Sequence, residues 1–327
     1  MRWSALSAAS VKHGLGLSDD FDVLLDELSG LAPEPDTAHL PNPAEAAALL
    51  ARLKVASVDV AEAVAALPDP DVHPKLWWLL ERCRHRLITD MGGTEFPTPW
   101  PQLPSTLGPV GRYFYLAVVL ATLPATRRFH TTHGIPDEIA WASLADLGEK
   151  VGLHRRFFGV GGFDRQDWFT LHFRGVLYAL GRLQFNLTAI PANFDGLTPE
   201  TPALGLHLPE TGGPITPQAC LASLSLARQF FSRHFGIDCG IATCTSWLLD
   251  PQLADYLPDD SNIIQFQRRF RLLPETRNGN ADILGFVFRR INPGLDTLPQ
   301  NTTLQRAVVA HLRSGRHWHV RSGWIEL

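Results

Sequence analysis

No excess of one charge sign runs through this chain. Its 327 residues carry 29 Lys and Arg against 33 Asp and Glu, a formal net charge of −4. That excludes the basic field that nucleic acid or an anionic membrane surface would need. The local run Arg82-Cys83-Arg84-His85-Arg86 is flanked by Glu81 and Asp90 and reads as the solvated face of a helix. Cysteine is scarce too. Cys83, Cys220, Cys239 and Cys244 show no CxxC spacing, so neither a zinc site nor a disulfide framework is expected, and no metal. Long apolar runs are missing. The longest, Leu116 to Leu123, stops at Pro124 and is too short to cross a bilayer, so no membrane insertion is expected. Met1 to Ser10 lacks the sustained apolar stretch of a signal peptide, which makes the cytoplasm the expected compartment. The sequence shows no repeats or low-complexity tracts.

What is present is the composition of a soluble globular protein, 45% hydrophobic and 19% charged, in a chain long enough for two domains. Residues 1–175 read as helical. Phe21, Leu24, Leu25 and Leu28 have helical spacing, and Asn42-Pro43 caps an alanine-rich helix. His73-Pro74 opens a helix that Gly92-Gly93 ends, and Gly111 to Leu123 reads as a buried one. Another starts at Pro136-Asp137, while Phe96 to Pro109 is punctuated by proline and reads as an extended loop.

The pattern changes near residue 176. Val176 to Leu187 reads as one strand with Gly181 as a bulge, Leu204 to Leu208 as a short alternating strand, and Ile241 to Trp247 as another. Thr216-Pro217 starts a helix running to about His234, and Asp250-Pro251 caps a short one. Ile263–Leu273 and Ile283–Arg290 read as a strand pair around the turn Arg277 to Asn280. A helix from Thr303 to Arg313 and an aromatic strand from His317 to Trp324 close the chain. The expected architecture is α+β: a helical half over 1–175, then a mixed α/β half over 176–327, hinged between Leu187 and Pro202.

The most informative stretch is Leu204 to Pro217: strand, glycine-containing loop, capped helix. A helix N-terminus exposes unpaired N–H groups and partial positive charge, a natural seat for a pyrophosphate, and Gly212-Gly213 lets backbone approach a ligand closely. A plain turn has the same composition. The order strand, loop, helix, strand, short helix, strand pair is similar to the C-terminal part of the GNAT acyltransferase fold. Gly108-Pro109-Val110-Gly111-Arg112-Tyr113-Phe114-Tyr115, Thr170-Leu171-His172-Phe173-Arg174-Gly175, Gly181-Arg182-Leu183-Gln184-Phe185 and Leu206-His207-Leu208-Pro209-Glu210 resemble recurring words of an actinobacterial acyltransferase family. So do Ser246 to Leu253, Asp260 to Ile264, Gly315 to Trp318 and Ser322 to Trp324. That family joins a helical N-terminal half to a GNAT-like C-terminal half, and its members resemble the N-acyltransferases of teicoplanin-type glycopeptide biosynthesis. The resemblance covers residues from about 75 to 327.

The resemblance implies an acyl-coenzyme A donor and a small-molecule amine acceptor, with the amino sugar of a glycopeptide as the nearest analogy and a long acyl chain in scope. It places the pyrophosphate on Thr211, Gly212, Gly213, Ile215 and Thr216. The common GNAT signature has Gln or Arg where this chain has Glu210, and Pro214 removes a donor, so the expectation is either a different cofactor pose or a Glu210 that faces the acceptor. Direct amide formation from a thioester needs a base for the attacking amine and donors for the oxyanion. His207 is the first candidate base, since Leu204, Leu206 and Leu208 share one face and leave Gly205 and His207 on the other. His172 is the second, four residues from Trp168 and on one helical face with it. Buried, structurally bonded histidines are the plainer reading of both. Ser246 is a candidate partner for the leaving sulfur. Trp168, Glu210 and Trp247 are candidates for the acceptor or acyl cleft, as are Trp318 and Trp324. Asp250 reads as a cap, and Cys220 and Cys244 lack the basic neighbours in sequence that a thiolate nucleophile needs. A non-catalytic acyl-coenzyme A sensor or partner protein on the same fold is the competing expectation.

Overall fold

The computed structural model describes residues 5–31, 37–95, 98–188, 190, 197–198, 201–290 and 294–327. The chain forms two compact units, 1–178 and 179–327. The first is built of helices from Ala8–Leu15 to Gln166–Phe173. Local chemistry sets their starts. Asn42 accepts from Ala44 N and Glu45 N, Glu45 reaches back to Asn42 N, and Pro43 fills the first turn, a complete capping box. The helices Pro74–Thr89 and Phe114–Thr132 lie at the centre of the core, where Leu79, Leu80, Cys83, Phe114, Leu116 and Val118 are sealed from solvent. Burial on this scale contributes about 1.5–3 kcal/mol for each large apolar side chain. A polar staple crosses the unit: buried Asp59 Oδ1 accepts from Arg155 Nη2 at 2.7 Å and from the Tyr113 hydroxyl at 3.1 Å.

Three expectations change here. The helix after Gly111 does not stop at Pro124 but runs to Thr132. Pro124 offers no N–H to the preceding turn. Arg84, on the facing helix, donates from Nε to the Ala121 carbonyl at 3.3 Å. Arg84 is therefore buried, so Arg82 to Arg86 is not a solvated face. With the helix extended, Ser105–Thr132 is long and apolar enough to span a membrane by length and composition, yet 67% of its apolar window is buried inside the protein. Finally, the proline-rich stretch gains a 3₁₀ turn at Ser105–Leu107 and a short helix at Gly108–Arg112; Phe96 and Pro97 lie outside the described residues.

The second unit is organised on a six-stranded sheet: β1 Leu177–Leu180, β2 Leu183–Thr188, β3 Ala203–His207, β4 Ile241–Ser246, β5 Arg271–Asn278 and β6 His319–Glu326, in the order β1-β2-β3-β4-β6-β5. β3 and β4 run parallel; the pairs β2/β3, β4/β6 and β5/β6 are antiparallel. The single strand expected over 176–187 is two strands. Gly181, at φ +73°, is not a bulge but the first residue of the two-residue turn between them, the position a type II′ turn reserves for glycine. The strand pair expected around Asn278-Gly279 does not form. Ser261 caps a helix over Asn262–Gln267, another helix runs over Asn280–Phe288, and β5 between them pairs with β6. Short apolar runs fit either period, and here the capping hydroxyl decides for helix. The closing strand begins at His319 rather than His317. Most of the expected hinge, residues 189, 191–196, 199 and 200, lies outside the described residues.

Candidate active site

β3 and β4 share a ladder only from Ala203↔Ile241 to Gly205↔Thr243, although β3 continues to His207 and β4 to Ser246. The two parallel strands thus part toward their C-terminal ends, where a crevice in a parallel sheet receives ligands. Leu204 and Leu206 are buried as the alternation requires, but the strand ends at His207, so Leu208, expected as its last residue, lies beyond it and is half-buried, as His207 is. The register partner of His207 on β2 is Gln184, and Gly205 faces Asn186, so these four residues share one face. Gln184 and Asn186 are buried polar groups, and His207 Nε2 lies 2.6 Å from Asn186 Oδ1.

The loop after β3 leads into the helix Pro217–Phe235. Thr216 caps it by accepting from Ala219 N at 3.2 Å, and Pro217 occupies the first turn. Gly212 and Gly213 sit at φ +93° and +84°, conformations that L side chains rarely adopt, and among the described residues, chain neighbours aside, no heavy atom stands within 4 Å of where a Gly213 Cβ would be. Thr211, Gly212 and Gly213 are exposed; Ile215 is buried beneath them. Two guanidinium groups, not singled out from sequence, reach this loop and the first turn of the helix after it. Arg182, on the β1–β2 turn, donates from Nε to the Gly213 carbonyl at 2.7 Å, and its Nη1 is enclosed without a hydrogen-bond partner among the described residues. Arg269 Nη2 donates to the Pro217 carbonyl at 3.3 Å. Burial holds Arg182 below the usual guanidinium value, and both arginines lie near enough to Cys220 to favour its thiolate. Burial outweighs them and raises the Cys220 thiol, and it pushes Cys244 up to about 12; neither is poised as a nucleophile.

Glu210 presents no bare carboxylate to this seat. Its side chain is 9% exposed and its Oε2 lies 3.1 Å from Arg289 Nη2. Arg289 ends the helix Asn280–Phe288 in the left-handed region at φ 54°, which is costly for a residue with a Cβ. Ser246 accepts from Leu248 N at 3.1 Å as the cap of a 3₁₀ turn. Trp247 is buried in a cluster with Leu253, Ile264, Ile283 and Trp318, and Trp324 is buried too. Asp250 is the cap that its position before Pro251 suggests, accepting from Gln252 N at 3.1 Å and from His319 N at 2.7 Å.

His172 and Trp168 belong to the first unit. Trp168 is half-buried, with Nε1 donating to Asp146 Oδ2 at 3.3 Å. The His172 side chain has no exposed surface, stacks on Phe169 at 4.4 Å, and has Nδ1 3.3 Å from the Trp168 carbonyl. Burial lowers its pKa to about 4, against the opposing pull of Asp146. A sealed, neutral imidazole fills this part of the core. Among the described residues no group of three or more His, Cys, Asp or Glu could hold a metal ion.

Residues 44–175 match the N-acyltransferase N-terminal domain family, and residues 177–325 match the GNAT-like C-terminal domain family. No curated protein is matched. Among solved structures the chain is similar to a mutant acyltransferase in complex with octanoyl-CoA, at 48% identity and a TM-score of 0.92, covering 98% of this chain and 100% of that one. It is also similar to an acyltransferase in complex with decanoyl-CoA and teicoplanin, at 49% identity and a TM-score of 0.91, with the same coverage. A complex of an acyltransferase with CoA and 10C-teicoplanin matches at 48% and 0.91, again over 98% and 100%. The likeness therefore reaches well before residue 75, where the resemblance read from the sequence begins.

Proposed function

The chain belongs to the N-acyltransferase family that joins an N-acyltransferase N-terminal domain to a GNAT-like C-terminal domain, and on that premise we propose that it moves a medium or long acyl group from acyl-coenzyme A to the amino sugar of a teicoplanin-type glycopeptide. The single observation that carries the reading is the arrangement around β3: a strand that parts from its parallel neighbour, ends in His207, and runs through two left-handed glycines into a capped 19-residue helix. Similar structures hold octanoyl- and decanoyl-CoA, which sets the range of donors to try first.

In this reading the pyrophosphate lies on the backbone of Thr211, Gly212 and Gly213, above Ile215, against the N-terminus capped by Thr216. Arg182 and Arg269 supply the positive charge that the common signature places inside the loop, and Arg289 neutralises Glu210. The thioester lies where β3 and β4 part. The acceptor nitrogen attacks the thioester carbonyl, a C–N bond forms and the C–S bond breaks. His207 takes the proton that the amine must lose, and that proton is then available to the departing thiolate. Ser246, whose hydroxyl proton is not engaged by its cap, remains the candidate donor to that sulfur. Four buried cysteines with no disulfide suit a cytoplasmic setting.

The test is release of free coenzyme A thiol from decanoyl-CoA with and without the deacylated glycopeptide. Release that requires the acceptor, with a product heavier by one acyl group, is the expected result. Saturable donor binding with no release under any acceptor would make the protein a sensor and refute the proposal.

A further inference from the structure

Asn186 is a buried amide on β2, 2% exposed, that lies against His207 across the β2/β3 ladder. Both ends of the amide have partners, and the two partners differ in kind. Asn186 Nδ2 donates to the Leu187 carbonyl at 2.8 Å. A carbonyl only accepts, so that end must be the NH₂ group and the other end must be the oxygen. Oδ1 also only accepts. The ring nitrogen 2.6 Å from it, His207 Nε2, must therefore carry the hydrogen. Nδ1 is then the nitrogen of the neutral ring that holds the lone pair.

From this chain of donors and acceptors we propose that Asn186 is a positioning residue: it locks His207 as the Nε2–H tautomer, so that Nδ1 is the atom that takes the proton. The inference rests on His207 being the base. Gly205 belongs to the same device. It pairs with Asn186 in the ladder, and a Cβ at residue 205 would overlap Asn186 Oδ1 and crowd His207 Nε2. Glycine leaves the amide oxygen room to reach the ring. After proton transfer the Nε2–H···O bond comes from a cation and strengthens, so the same contact that selects the tautomer favours the protonated base. An amide does this without adding a negative charge to a site that must also seat a polyanionic donor.

Histidine ¹⁵N NMR of the wild-type protein, at a pH where the ring is neutral, tests the tautomer directly. Expected is a protonated Nε2 and an unprotonated Nδ1 for the resonance that disappears in His207→Ala. A protonated Nδ1 overturns the proposal. Kinetics then test the consequence. Asn186→Leu should lower kcat about tenfold, one hydrogen bond's worth, with KM for acyl-coenzyme A unchanged and the Nε2–H signature lost. Asn186→Asp, which restores an acceptor and adds charge, should recover turnover and move the acid limb of the pH–rate profile upward. Asn186→Leu with wild-type kcat and tautomer overturns the proposal. Should that variant not fold, Gly205→Ala displaces the amide without removing it and should show the same two losses. If the wild-type tautomer is as stated while His207→Ala turns over normally, the base assignment fails and the tautomer lock survives it.

Discussion

His172 offers a prediction whose size follows from its surroundings. Its side chain has no exposure, and burial lowers its pKa from the ordinary 6.5 to about 4. The groups around it do not reverse this. Asp146 Oδ2 stands 3.7 Å from Nε2 and favours the cation, but Asp146 also receives Trp168 Nε1 and lies 3.6 Å from Lys150, which opposes it. The folded protein therefore keeps the ring neutral while the unfolded chain protonates it at about 6.5. Between those two pKa values the unfolded state binds one more proton, so stability rises with pH and is lost as pH falls from 6.5 toward 4. Each pH unit is worth about 1.4 kcal/mol, so acidifying from 6.5 to 5 should cost about 2 kcal/mol through this residue alone. In His172→Phe, which keeps a ring to stack on Phe169, that contribution disappears. Urea melts of wild type and variant at pH 7.5, 6.5, 5.5 and 5 measure it, because every other titrating group is common to both. The variant should lose about 2 kcal/mol less than wild type over the acid range. Parallel pH dependences would refute the reasoning and mean that Asp146 holds a charged imidazole in the core.

Three further outcomes are expected. His207→Ala should cut the single-turnover rate about 10²- to 10⁴-fold, the range of a general base, with acyl-coenzyme A affinity retained in titration; an unchanged rate would place the base elsewhere. Arg182→Ala should raise KM for acyl-coenzyme A about tenfold, for one charge-assisted contact, and leave an acyl-pantetheine donor unaffected; equal losses on both donors would remove Arg182 from the pyrophosphate seat. Acyl-coenzyme A should raise the melting temperature, and more so with chain length, since each buried methylene adds about 0.8 kcal/mol of binding; thermal shifts that ignore chain length from octanoyl to decanoyl would argue against an apolar acyl channel.

Much of this was legible along the chain because its causes are local. The capping of Thr216 by its own side chain, the box of Asn42 and Glu45, and the cap of Asp250 span two or three residues, and each reads directly from residue order. The alternation of Leu204, Gly205, Leu206 and His207 identified β3 and turned the histidine to one face. The errors fall where one local pattern allows two structures. Val176 to Leu187 reads as strand on both sides of Gly181, and only the φ of Gly181 separates a bulge from a hairpin. Ile263 to Arg290 alternates loosely enough for strand or helix, and β5 found its partner in β6, more than forty residues on.

Sequence by itself determined the helical first half, the order of strand, glycine loop and capped helix, and the residue types that acyl transfer requires. Tertiary structure alone decided which side chains meet. Arg182 reaches Gly213 across 31 positions, and Asn186 reaches His207 across 21. Neither pairing has a signal in sequence, because strand register is set by how buried faces align across a sheet and not by spacing along it. The two histidines part for the same reason. Each lies in an apolar setting in sequence, yet the helix Gln166–Phe173 packs His172 inward until water is excluded, while β3 ends as it leaves β4 and leaves His207 half-buried at the opening.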